Sequence, residues 1–151
     1  MKEKFRNLII KTRPLYLTKT KLYNGHFYIG YSHRICLGDS LYNVDGISKA
    51  DAEYLLDKDI KKISRQFNKY IKEDKIELSI NQKVALCSLI YDIGIKAFIT
   101  GALYESLKEK DYISVWNMFR IYNKYRKKPV YQLIKNRKAE MELFNKELNN
   151  D

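Results

Sequence analysis

Carboxylates are scarce where this chain begins. Between Met1 and Gly38 the only acidic residue is Glu3, against eight lysines and arginines. Chemistry that needs two carboxylates close together is therefore excluded from this stretch. Cysteine is nearly absent as well. Cys36 and Cys87 stand 51 residues apart, with no C-x-x-C and no neighbouring histidine. That spacing offers no zinc site and predicts reduced thiols rather than a disulfide framework. No glycine-rich phosphate loop and no EF-hand loop occurs, so no cofactor and no metal are expected. No apolar run approaches the roughly 18 residues of a membrane span. The opening Met-Lys-Glu-Lys-Phe-Arg is basic, but only Leu8-Ile9-Ile10 follows, with no small-residue cleavage site. It does not read as a signal peptide, and cytoplasmic synthesis is the expectation.

What is present is charge of one sign and tyrosine. The 151 residues can form a real core, and the net charge is +11. The surplus is uneven. Residues 1–50 carry nine basic and three acidic groups, 51–100 nine and eight, and 101–151 eleven and seven. Both ends are basic and the middle third is nearly neutral, which points to an anionic partner: nucleic acid, an acidic protein or cell-wall glycan. The 13 tyrosines are too many to bury fully, and exposed tyrosine beside arginine suits an interface.

Along the chain, residues 5–12 predict a short helix that stops before Pro14, because a residue preceding proline is pushed out of helical space. Leu15–Tyr23 and His26–Ile29 flank Asn24-Gly25, a strong hairpin signal. A third short strand with loops is expected within 34–46. Ser48-Lys49-Ala50-Asp51 is a capping box opening a helix over 49–72, with Leu56, Ile60, Ile63, Phe67 and Ile71 near a 3.6 period. A second box, Ser79-Ile80-Asn81-Gln82, opens a helix apolar on most sides, a central buried helix that Gly94 ends. Helices over 97–109, 112–125 and 130–148 complete the pattern. The fold class is α+β, mostly α: a small hairpin lobe (1–50), a connecting helix (49–72) and a helical lobe (79–151), making one domain over 1–151.

The frame Tyr28-Ile29-Gly30-Tyr31-Ser32-His33 resembles the Thr-Ile-Gly-Tyr-Gly-His signature of phage-type lysozymes, the muramidase endolysins of glycoside hydrolase family 24. It keeps four of six positions. The resemblance continues through Ile47–Leu56, through Asn81-Gln82-Lys83-Val84-Ala85-Leu86 and Ile90-Tyr91-Asp92-Ile93-Gly94, and through Leu133–Phe144, similar to the family's closing Leu-Val-x-Arg-Arg-x-Ala-Glu-x-x-Leu-Phe. The resemblance implies a lysozyme-like fold and a cleft beside the hairpin.

It also exposes departures. Counting back from the signature without gaps, the family's catalytic Glu and Asp positions fall on Arg13 and Leu22, and its Thr is Tyr28. Glycosidic hydrolysis needs one carboxylic acid to protonate the leaving oxygen and a second carboxylate to activate water or stabilise the positive sugar. Arginine gives up no proton at neutral pH and leucine accepts none. No catalytic residues are expected. The Asn of the family's Tyr-Asn-Ile-Gly turn is Asp92, and its Gly before the His is Ser32.

The cleft candidates are Tyr28, His33, Asp92 and Arg137. Asp92 is read as a helix-end residue bonding local backbone or Lys96, with a relocated base or an anchor for a partner's Arg as the alternative. His33 is read as a hydrogen-bonded hairpin residue, His26 as exposed, and Arg137 as an ion-pair partner of Glu140 or Glu142. Lys124, Arg126, Lys127 and Lys128, in an expected loop around Tyr125, form a candidate patch for phosphate contact and base stacking. The expectation is a phage- or prophage-derived lysozyme-fold protein, made in the host cytoplasm, that binds an anionic macromolecule (host protein, nucleic acid or cell-wall glycan) without hydrolysis. Arg13 is expected to make the old cleft cationic. The alternative is a divergent endolysin cutting peptidoglycan with repositioned acids such as Asp39, Asp45 or Asp92.

Overall fold

The computed structural model describes residues 1–146 and 148. The chain opens with α1 (Lys2–Thr12), which turns Phe5, Ile9 and Thr12 inward. Pro14 stops it, and Arg13 leaves the helix in an extended conformation. Three short strands follow, β1 (Tyr16–Lys21), β2 (Phe27–Gly30) and β3 (His33–Ile35), antiparallel in the order β1-β2-β3. At the first turn only Gly25 takes a positive φ. Asn24 acts through its side chain instead, accepting from the His26 N–H and donating to the Tyr28 hydroxyl at 2.8 Å. The second turn needs positive φ at both Gly30 and Ser32. Gly30 also lies against Ala52, where an added Cβ would sit 3.6 Å from the helix.

Helix α2 (Lys49–Glu73) is 25 residues long, about 37 Å at 1.5 Å per residue. Its capping box forms as expected, with Ser48 and Asp51 each serving the other's backbone N–H. One stripe, Ala52, Leu56, Ile60, Ser64, Phe67 and Ile71, faces the core, leaving the opposite side to solvent. Helix α3 (Ile80–Ile93) starts at the Ser79–Gln82 box and buries eight residues, Gln82 and Val84–Ile90. It has no polar face, so it needs apolar cover on all sides, and α1, α2 and the last helix supply it.

The expected helix 97–109 is two helices, α4 (Ile95–Thr100) and α5 (Ala102–Lys108), broken at Gly101. A Cβ there would lie 3.0 Å from the Tyr122 hydroxyl and 3.2 Å from the Ala97 carbonyl, so only glycine lets Tyr122 close over the break. The expected helix 112–125 is α6 (Tyr112–Met118) followed by a 3₁₀ turn, Phe119–Asn123. The basic run, expected as a loop, is a small hairpin: β4 (Lys124–Tyr125) pairs with β5 (Lys128–Pro129). Its turn residues, Arg126 and Lys127, both hold positive φ. The terminal helix α7 spans Tyr131–Asn145; of its expected extent, residue 147 lies outside the described residues.

Candidate active-site cleft

The end of α1, the C-terminal half of α3 and the middle of α7 converge on one buried ionic cluster. Arg13 sits at its centre with a side chain 1% exposed. One of its Nη2 contacts is Asp92 Oδ2 at 2.9 Å, another is Glu140 Oε1 at 3.3 Å. Nη1 donates to the Thr12 and Ser88 hydroxyls at 2.8 and 3.0 Å, and Nη2 to the Ser88 carbonyl at 2.9 Å. Arg137, 2% exposed, donates to Asp92 at 2.6 Å and forks onto Glu140 at 2.5 and 2.8 Å. Ser88 closes the ring by donating to Glu140 Oε1 at 2.6 Å. Two guanidiniums face two carboxylates, and the cluster is neutral.

That neutrality sets the chemistry. Burial opposes ionisation of Asp92, but the charges of Arg13 and Arg137, with hydrogen bonds from Arg137 and Asn136, outweigh it and hold its carboxyl below the usual range. Asp92 is therefore an ionised acceptor with no proton to give. Glu140 is fully buried and bonded to Arg13, Arg137 and Ser88. Burial works against Arg137, but Glu140 and Asp92 more than offset it and keep the guanidinium charged.

The cleft itself, a cavity of about 350 Å³, is lined by Arg13, Leu22, Tyr28, Ser32, Tyr91, Asp92 and Asn136, with Arg34 and Lys62 among the residues at its edges. Arg13, Leu22 and Tyr28, the residues reached by counting back from the hairpin, thus lie together. Among the described residues lining it, Asp92 is the only acid. The expectation that Arg13 makes the cleft cationic is corrected by its burial and its two carboxylate partners. The exposed charge comes from Arg34 and Lys62 instead. Asp92 likewise does not bond local backbone or Lys96; it bridges Arg13, Arg137 and Asn136.

The other acids considered are engaged elsewhere. Asp39 caps the 3₁₀ turn Ser40–Asn43 by accepting from the Leu41 N–H. Asp45 lines a different cavity with Thr18, Lys19 and Tyr42. His33 reaches across to α2, its Nδ1 2.6 Å from Asp59 Oδ2, and so ties the hairpin to the long helix. His26 is exposed and takes a contact from Arg34 Nη2 at 3.1 Å. Arg137 pairs with Glu140, not Glu142.

Of the basic patch, Lys124, Arg126, Lys127 and Lys128 are exposed on the β4–β5 hairpin. Tyr125 packs edge-on against Tyr23 of the first hairpin, centroids 5.6 Å apart. Residues distant in sequence thus meet beside the cleft. Burial raises the Tyr23 hydroxyl to about 12. Three participants were missed in the sequence: Ser88, Glu140 as a partner of Arg13, and Asp59. Glu140 was visible in the closing motif; nothing local marks Ser88 or Asp59 as partners of residues far away in the chain.

Two of the departures from the family pattern, Arg13 and Asp92, touch each other. Arg13 brings a cation, and Asp92 an anion against it.

Comparison with known proteins agrees with this geometry. The phage lysozyme family model matches residues 14–140. The chain is 33% identical over 121 residues to an endolysin of Acyrthosiphon pisum secondary endosymbiont phage 1, covering 76% of this chain and 75% of that one. It is 28% identical over 131 residues to the endolysin of Bacillus phage B103, covering 83% of this chain but 48% of that one. Among solved structures, the endolysin of Escherichia coli O157:H7 phage FAHEc1 superposes with a TM-score of 0.77 at 23% identity, over 95% of this chain and 92% of that one. The muramidase domain of SpmX from Asticaccaulis excentricus gives 0.74 at 24% identity, over 93% of each. The matched residues take in the hairpin, the long helix α2, the central helix α3 and most of the closing helix α7, and the chain belongs to the phage lysozyme family.

Proposed function

We propose that this chain is a catalytically inactive member of the family that works by binding an anionic macromolecule. The observation that carries the reading is Arg13, buried at the acid's position and tied to both nearby carboxylates. A general acid must hold a proton at neutral pH, which requires a raised carboxyl pKa. The cleft's acid is pushed the other way. Asp92 could hold a proton only without the guanidinium charges of Arg13 and Arg137 beside it, and those charges outweigh burial.

The cleft still offers groups that bind sugars and anions: the Tyr28 hydroxyl, Gln132, Arg34 and Lys62. Cell-wall glycan is the partner the family points to, with nucleic acid or an acidic host protein as the other anionic classes. The test incubates the protein with purified peptidoglycan and measures both sedimentation with the wall and release of reducing ends. Retention without reducing ends is the expected result; turnover at an endolysin's rate would overturn it.

The second reading is an active, divergent endolysin that hydrolyses peptidoglycan. Its support is the 33% identity to an endolysin over three quarters of both chains. It requires two carboxylates about 5–9.5 Å apart across the bound sugar, one of them protonated. Asp92 could serve only as the ionised member. Reducing-end release abolished by Asp92→Asn would favour this reading.

A further inference from the structure

The outward face of α2 carries six exposed cations, Lys58, Lys61, Lys62, Arg65, Lys69 and Lys72. Their spacing of three and four residues places them on one side of the helix, opposite Leu56, Ile60 and Phe67. From Ile60 to Lys72 there is no acid. Solvent-facing helices are ordinarily relieved by acid–lysine pairs at i,i+4; here Asp57–Lys61 and Lys69–Glu73 have that spacing, but neither closes to an ion pair among the described residues. Apart from Glu73 at the end of the helix, the nearby carboxylates are engaged elsewhere. Asp57 pairs with Arg6 at 2.7 Å, Glu53 lies 4.0 Å from Arg6, Asp59 holds His33, and Asp51 caps α2. Asp74 accepts from Tyr104. Among the described residues, no ion pair involves any of the six. The near-neutral charge of residues 51–100 thus conceals a polarised helix, with its cations together and its acids turned aside.

The face is also shaped. Tyr54, Lys58, Lys61, Lys62 and Arg65 line a groove of about 880 Å³ between α2 and the segment 39–47. The groove's acids are Asp39, Asp51 and Asp59, all three already bonded. Tyr54 is 69% exposed and one helical turn before Lys58. Lys62 lines both this groove and the cleft.

We propose that the α2 face is a binding surface for single-stranded nucleic acid, with phosphates along the lysine stripe and a base on Tyr54. A cationic groove combined with an exposed aromatic ring is how single strands are held without sequence preference. From Lys58 to Lys72 the stripe runs about 21 Å. The six cations set an upper limit of six phosphate contacts along it. A membrane fits less well, because surface-lying helices insert an apolar face and the apolar face of α2 is buried in the core. The surface is independent of the cleft chemistry and stands whether or not the chain hydrolyses glycan.

The experiment is fluorescence anisotropy with a labelled oligothymidylate about 20 nucleotides long, titrated across salt concentrations. For single strands the slope of log K against log salt is about −0.7 per phosphate contacted, so six contacts predict about −4. Lys62→Gln/Arg65→Gln/Lys69→Gln should flatten the slope by about 2, and Tyr54→Ala should weaken binding at least about fivefold. A charge-matched control, Lys2→Gln/Lys11→Gln/Lys135→Gln, should keep the wild-type slope. Absence of binding, an unchanged slope in the α2 triple variant, or an equal loss in the control would overturn the proposal. So would displacement by poly(glycerol phosphate) at equal phosphate concentration combined with indifference to Tyr54→Ala, which would assign the face to a wall polymer.

Discussion

The neutral cluster makes a quantitative prediction about two substitutions. Arg13→Met keeps the buried stem but removes one cation, leaving Arg137 alone with Asp92 and Glu140. Asp92→Asn removes one anion, leaving two guanidiniums to share Glu140. Breaking a buried ion pair from one side costs about 3–5 kcal/mol, because the abandoned charge stays buried. Asp92 keeps a side chain 15% exposed, so water relieves part of the penalty and about 3 kcal/mol is expected for each single change. In the double variant the Arg137–Glu140 fork remains balanced, and the total should stay near about 3 kcal/mol rather than 6. The coupling energy is then about 3 kcal/mol. For a chain of this size each single variant should melt about 6–12 °C below wild type. Urea unfolding followed by circular dichroism measures all four corners of the cycle. Additivity within about 0.5 kcal/mol would refute the claim that Arg13 and Asp92 form one compensated unit.

Four further outcomes follow from the same geometry. The lowered pKa of Asp92 contributes stability that is present above the ordinary aspartate range, near about 3.9, and lost as pH falls through the folded value. Melting temperature measured from pH 6 downward should therefore drop on the acid side in wild type, and less steeply in Asp92→Asn. Asp59→Asn weakens the polar tie from His33 to α2 and should cost about 1.5 kcal/mol in urea unfolding; no change would mean the pair is a bystander. Leu86→Ala at the centre of α3 should cost about 2–5 kcal/mol, and a smaller loss would show that the central helix relaxes around the gap. Cys36 is exposed while burial pushes the Cys87 thiol up, so a thiol reagent should modify one cysteine in the native chain and two in urea.

Much of the fold was legible because its signals are local. The Ser48–Asp51 and Ser79–Gln82 boxes and the stop at Pro14 each depend on residues a few positions apart, and each formed where the pattern placed it. The break at Gly101 was less legible, since it arises from Tyr122 closing over the backbone. The basic hairpin was missed because Arg126 and Lys127 adopt left-handed conformations that glycine or asparagine normally announces.

The site divided along the same line. Counting back from Tyr28–His33 brought Arg13, Leu22 and Tyr28 to one cleft. The partners of those residues could not be counted to. Arg13 meets Ser88, Asp92 and Glu140 through helix packing, and without that packing Arg13 read as a charge facing the cleft rather than one neutralised inside the protein. The lysine stripe was present in the sequence throughout, but averaging charge over 50 residues hid it. Only the face of α2, and the turning away of Asp57 and Asp59, separates its cations from its acids.

Release of reducing ends from purified peptidoglycan, with an active phage lysozyme run beside it, tests the central claim most directly. The folded protein should release none above the blank while sedimenting with the wall. Sustained release at a rate comparable to the active enzyme, lost in Asp92→Asn, would contradict it and show that a cleft built around a buried arginine still cuts.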